Sequence, residues 1–250
     1  MILFGSASCR IRSKEPYWIE THGHALGNRV VGWAGGALLL GGDSHLWGYP
    51  GPWSNPWVPK SQTRPLRAIA GANSVAYGLL SDGQVARFTG GWSAIEGSAA
   101  WGASEIALTD DEHLLVIAAG KLRLFEHGEL KPLACDALAG VALAGIHGNE
   151  AFLLDQAGAL YLNADGRCDK ISAPTRLQRI AARSDRLLAV AVDGSVWRRR
   201  AGAWRQLPAP FKFRAGQAPA PMRAQDVGVS AYSTWLVDTE GSVFLLSDES

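Results

Sequence analysis

The sequence predicts an all-β fold, a single β-propeller, from a repeat of about 38 residues, a hairpin signature in each copy and the absence of any sustained helical period. The signature is a short apolar run, a turn that usually holds Gly, and a second apolar run. It reads YGLLSDGQVARF at 77–88, LLVIAAGKLRLF at 114–125, FLLDQAGALYLN at 152–163, LAVAVDGSVWRR at 188–199 and WLVDTEGSVFLL at 235–246. LLLGGDSHLWGY at 38–49 is a looser copy, with Asp43-Ser44 where the others carry the turn Gly.

The first apolar residues after these turns are Leu46, Val85, Leu122, Leu160, Val196 and Val243, separated by 39, 37, 38, 36 and 47 residues. The excess in the last step falls on PAPFKFRAGQAPAPMR at 208–223, which reads as a loop insertion. Each hairpin joins two strands, because runs rich in Val, Leu, Trp and Tyr flank a Gly that supplies the positive φ of a tight turn. A further apolar run precedes most hairpins, as in EIALT at 105–109 and RIAAR at 179–183, and small residues there suit a crowded central channel. Another short strand follows, as in GGWSAI at 90–95 and GAWRQLP at 202–208.

That makes about four antiparallel strands per repeat, the content of a propeller blade. ILFGSASCRIRS at the N-terminus reads as a further copy, since Ile11 lies 35 residues before Leu46. The expectation is therefore seven blades, with six as the alternative. Residues 1–250 form one domain in this reading, its ring closed by the N- and C-terminal segments so that no strand edge is left bare.

IAARSDRLLAVAVDGSVWRRRAGAWRQLP at 180–208 and IAGANSVAYGLLSDGQVARFTGGWSAI at 69–95 resemble tectonin repeats and RCC1-like repeats. Both families place an Ile-Ala-x-Gly-like strand before a Leu-x-x-Asp-Gly-x-Val-Trp hairpin, and tectonin repeats finish on Gly-x-Trp-x-x-Ile-Pro. The resemblance covers most of the chain. It implies a propeller whose members are mostly binders: lectins, exchange factors and protein inhibitors of enzymes. The Trp-Gly-x-Asn and Gln-Leu-Gly elements of RCC1 are missing, and no Trp-Asp closes a repeat.

With 24 Lys and Arg against 23 Asp and Glu, no global field attracts nucleic acid or an anionic membrane. The N-terminus lacks the charged start and long apolar stretch of a signal peptide, so the expected location is cytoplasmic. Cys9, Cys135 and Cys168 are scattered and odd in number, and on separate blades they are expected to be unpaired thiols. His22-Gly23-His24 lacks a third metal ligand at fixed spacing, and Asp110-Asp111-Glu112-His113 falls in a turn of the repeat. The Asn163–Asp169 segment has no bidentate Glu to complete a calcium loop. Three consecutive arginines, Arg198 to Arg200, cannot share one face of a strand. No metal or cofactor is expected. No Walker, dinucleotide or hydrolase fingerprint occurs, and the chain is expected not to be an enzyme.

Two segments break the repeat. GYPGPWSNPWVPKSQTRP at 48–65 holds Tyr49, Trp53 and Trp57, and the 208–223 insertion holds Phe211, Lys212, Phe213 and Arg214. Aromatic and basic residues on Pro-stiffened loops are the types that dominate interface energetics, so these seven are candidate partner-binding residues. The other reading packs the rings against the blade edge, and both stand at this point. The expected function is a protein-binding propeller, monomeric when free, of the inhibitor or immunity type that caps an enzyme or toxin. A tectonin-like lectin using the ten Trp is the alternative, and an enzyme with a scattered site ranks third.

Overall fold

The structure is a computed structural model that describes residues 16–21, 26–33, 36–42, 45–49, 57–60, 65–89, 91–135, 140–183, 186–212, 220–230 and 233–247. Six four-stranded antiparallel sheets make six blades. Blade 1 runs through Gly27–Trp33, Gly36–Gly41, Leu46–Tyr49 and Val58–Lys60. Blade 2 follows with Leu66–Ala72, Val75–Leu80, Val85–Phe88 and Trp92–Ala94. Blade 3 comprises Ala103–Leu108, Leu114–Ala118, Lys121–Glu126 and Glu129–Pro132. Blade 4 is Gly140–Gly145, Ala151–Asp155, Leu160–Ala164 and Arg167–Ile171. Blade 5 is Leu177–Arg183, Arg186–Ala191, Val196–Arg200 and Ala203–Gln206.

Blade 6 takes only three strands from the C-terminal region: Ala224–Val229, Thr234–Asp238 and Val243–Ser247. Its outer strand is Tyr17–Glu20 from the N-terminal region, antiparallel to the last strand with Tyr17 opposite Ser247 and Glu20 opposite Phe244. Among the described residues the ring therefore has six blades, the alternative count, and the seventh is not seen. The residues before blade 1 supply the missing strand of blade 6, and the Ile11 copy lies outside the described residues. Helix is as scarce as the sequence suggests, with one 3-10 turn at Ser98–Trp101 among the described residues.

No blade has a core of its own. The apolar side chains of each sheet meet those of the next, giving one buried cluster at each of the six blade interfaces. Leu79, Val85, Ile106 and Val116 fill the interface of blades 2 and 3. The closing interface, between blades 6 and 1, is built the same way from Val30, Leu39, Trp57, Trp235 and Val237. Trp18, on the N-terminal strand, packs on the opposite face of blade 6 against Leu188 and Val196 of blade 5. Its indole donates to Pro208 O at 2.9 Å.

The repeat's Asp-Gly signature acts locally. At the blade 5 hairpin Gly194 has φ 84°, while Asp193 Oδ1 accepts the Ser195 N–H at 2.8 Å, so side chain and glycine together define the turn.

The expectation of three free thiols is also corrected, because Cys135 and Cys168 form a disulfide. Cys135 follows the outer strand of blade 3 and Cys168 lies on the outer strand of blade 4. Their separation of 33 residues is close to one repeat. In a propeller that spacing brings positions of adjacent blades side by side, here with Cα atoms 5.2 Å apart. Cys9 lies outside the described residues.

Candidate functional site

Every inner strand carries the same irregularity. The register slips by one residue after Gly27, Leu66, Ala103, Gly140, Leu177 and Ala224, so a bulge sits at the start of all six. A bulge re-aims the residue that follows it. Those residues are Arg29, Ala68, Glu105, Ala142, Arg179 and Asp226, and four of the six are charged. With the exception of Ala68, they line a central cavity of about 80 Å³. That holds several waters but is small beside the pockets that enclose drug-sized ligands.

Arg29 crosses from blade 1 to blade 3, where its Nη1 donates to Glu105 Oε2 at 2.9 Å. Burial works against the Arg29 charge, and Glu105 and Asp226 more than offset it, so the guanidinium is held firmly in its charged form. Asp226 Oδ2 accepts the Val30 N–H at 2.8 Å. Burial pushes its carboxyl up to about 6 even though Arg29, that N–H and Arg179 all favour the ionised form. Arg179 makes one hydrogen bond among the described residues, to the carbonyl of Gln178 beside it at 3.2 Å.

Towards the far end, neighbouring inner strands press together. The inner strands converge there until a Cβ on Gly32 would stand 2.1 Å from Val229 O, and one on Gly145 would stand 2.4 Å from Leu108 O. Only glycine permits that approach. Beyond it Arg183 of blade 5 reaches over the axis to blade 2, donating to Asn73 Oδ1 at 2.5 Å, and its Nε lies 3.6 Å from Asp110 Oδ1 of blade 3.

The end where the inner strands begin carries an apolar arc. Among the described residues, the large apolar side chains that stand exposed are Tyr17 and Ile19 on the outer strand of blade 6, and Leu26, Val192 and Phe211 at this end of blades 5, 6 and 1. Leu26, Val192 and Phe211 are 62%, 47% and 46% exposed. Hydrogen bonds join their segments into one row. Arg223 donates to the carbonyls of Val192 and Asp193, Thr239 N donates to Arg223 O, and Gly27 N donates to Gly241 O. Phe211 stands on a two-stranded hairpin, Phe211–Lys212 with Ala220–Pro221, which the insertion contributes to this row.

The candidate residues separate. Phe211 is exposed, as an interface anchor requires. Lys212, next to it, is turned inward: its ammonium lies 2.8 Å from Glu240 and 3.5 Å from the fully buried Asp238. Burial opposes its charge, but Glu240 and Asp238 outweigh that and hold its pKa above the ordinary value. Trp57 is buried between blades 6 and 1, its ring 5.2 Å from Tyr49 and 5.8 Å from Trp235, and its indole donates to Thr21 Oγ1 at 3.2 Å. Tyr49 is half-buried in the same cluster. Trp53, Phe213 and Arg214 lie outside the described residues. Sequence reasoning missed the charged quartet, though aligning the six copies at the start of the inner strand puts Arg29, Glu105, Arg179 and Asp226 in one column. It also missed Leu26 and Val192, for which the sequence holds no signal beyond apolar residues beside turns.

No protein-family profile and no curated protein matches this sequence. Solved structures do match. YCF48 bound to D1 peptide aligns with a TM-score of 0.63 at 10% identity, covering 96% of this chain and 99% of that one. Virginiamycin B lyase from Staphylococcus aureus with quinupristin aligns with a TM-score of 0.60 at 8% identity, over 94% and 99% of the two chains. PorZ, a surface component of the type-IX secretion system of Porphyromonas gingivalis, aligns with a TM-score of 0.56 at 10% identity, covering 92% of this chain and 38% of PorZ.

The shared fold is a β-propeller. At these identities the likeness extends to fold alone, and no family match stands behind the narrower resemblance to tectonin and RCC1-like repeats. The expectation that the chain is not an enzyme is corrected. A lyase has this fold over nearly the whole chain, so neither the fold nor the missing motifs exclude catalysis.

Proposed function

We propose that this propeller binds another protein through the end of the ring where its inner strands begin, with Leu26, Val192 and Phe211 as apolar anchors. The observation that carries the reading is that, among the described residues, exposed large apolar side chains lie on blades 5, 6 and the start of blade 1, three of them at this end. Contiguous exposed apolar surface marks interaction sites, and scattered single residues do not. The inserted hairpin adds Phe211 to that surface. A protein partner of this kind is consistent with YCF48, a propeller whose structure is with a peptide.

The finer reading is an inhibitor or immunity-type protein that caps an enzyme or toxin. It is supported by a binding surface set to one side of the ring, which suits one asymmetric partner better than six equivalent sites. The lectin reading is less well supported. Each described Trp is buried or half-buried, so none offers an open face for a sugar ring.

The test is capture of partners from the native host by the wild type and by Leu26→Ser/Val192→Ser/Phe211→Ser, with an exposed-polar substitution on blade 3 as the control. The reading expects one captured protein that the control retains and the triple variant loses, with melting temperatures alike. Capture unchanged in the triple variant contradicts it, and a glycan-array signal with no captured protein moves the reading to a lectin.

A further inference from the structure

We propose that the channel mouth is a binding site for a single carboxylate group, received by Arg179. The inference is independent of what the apolar arc binds.

Among the four charges of the quartet, three have strong partners within the ring. Arg29 and Glu105 hold each other across the axis, and Asp226 takes the Val30 N–H. Arg179 has only the Gln178 carbonyl. A guanidinium carries five N–H donors in a planar fork, so most of those on Arg179 meet no protein acceptor among the described residues. Donors left in a partly enclosed cavity strongly favour an anionic acceptor, because the low dielectric that penalises them alone strengthens the pair. The space for that acceptor is built in. The equivalent position on blade 4 is Ala142, whose small side chain lines the central cavity of about 80 Å³.

The remaining charges select among anions. Glu105 and Asp226 lie in the same ring and repel a dianion such as phosphate. A planar monoanion that two parallel N–H groups can grip is the better match, and that is a carboxylate. The elevated Asp226 carboxyl is set to take up a proton when a second negative charge arrives, so binding tightens as the pH falls. Charged groups facing Asp226 are Arg29, Glu105 and Arg179. The carboxylate comes either from a small free acid or from an Asp or Glu side chain of a polypeptide.

Arg179 is the residue to change, since it makes no salt bridge among the described residues and Arg29 and the Val30 N–H still face Asp226 without it. Protein labelled with nitrogen-15 arginine is titrated with sodium acetate, with succinate, with the peptide acetyl-Gly-Glu-Gly-amide and with phosphate, each against chloride at equal ionic strength. A saturable shift of the Arg179 side-chain resonance is expected with the carboxylates. Arg179→Gln abolishes it, Arg179→Lys weakens it about tenfold, and affinity rises about tenfold between about pH 7.5 and about pH 5.5. Tighter binding of the peptide than of acetate or succinate assigns the carboxylate to a polypeptide, and the reverse assigns it to a free acid. Shifts no larger than those from chloride, shifts unchanged in Arg179→Gln, or tighter binding of phosphate overturn the proposal.

Discussion

Asp226 shows how much one position in a propeller channel can carry. Its carboxyl is buried, and its pKa is raised from 3.8 in the free group to about 6. The folded state therefore binds a proton that the unfolded chain has already released between about pH 4 and about pH 6. Stability tied to this group is present below that window and is lost as pH rises through it. The lowered carboxyls of Asp111 and Asp193 act in the opposite sense: their contribution is present above the ordinary carboxylate range and is lost as pH falls through their own lower values. The two effects occupy different windows and can be separated. Asp226→Asn keeps an acceptor for the Val30 N–H and removes the titration. We expect the unfolding free energy of the wild type, from urea titration, to fall by about 2 kcal/mol between about pH 4.5 and about pH 7, and that of the variant to stay flat. A variant with the same pH dependence as the wild type would place the titration elsewhere. The quartet was legible in the sequence only by period. Arg29, Glu105, Arg179 and Asp226 look unrelated until the copies are aligned, because the strand around each is otherwise apolar.

The inserted hairpin makes the same point about elements. Phe211 and Lys212 are adjacent and both looked like interface residues, yet alternation along a strand turns them opposite ways. Lys212 neutralises the buried Asp238, whose Oδ1 already closes the blade 6 turn by accepting from Glu240 and Ser242. Lys212→Met leaves that carboxylate uncompensated and is expected to cost about 3 kcal/mol or more by thermal or urea unfolding. Phe211→Ala is expected to cost under about 1 kcal/mol. Equal losses would contradict the assignment. Hairpin positions were legible because Asp-Gly turns have a fixed chemistry, whereas packing at Trp57 depends on which blade closes the ring and has no local signature. The disulfide was misread for a related reason, since separate blades were taken as distant when a one-repeat spacing makes them neighbours. Thiol titration under denaturing, non-reducing conditions should find one group, from Cys9. Three groups would show the bond between Cys135 and Cys168 to be absent. Closing a loop of 33 residues is worth about 3–4 kcal/mol in the chain-entropy account.

At the scale of the molecule, six blade interfaces replace a single core, and the strand Tyr17–Glu20 ties the beginning of the described chain to its end. The repeat length was enough to predict this architecture, but the blade count turned on whether the first residues form a seventh copy or complete the sixth. The ring that results has two unlike ends. Arg183 spans the axis at one; the other carries the charged quartet and Leu26, Val192 and Phe211. The claim that partners dock on the second end is tested most directly by hydrogen–deuterium exchange of the protein alone and with its captured partner. The account predicts slowed exchange at 26–27, 192–195, 211–212 and 239–242, with 73–74, 110–113 and 147–149 unchanged. Slowing confined to the second group would put the partner on the Arg183 end and contradict the account.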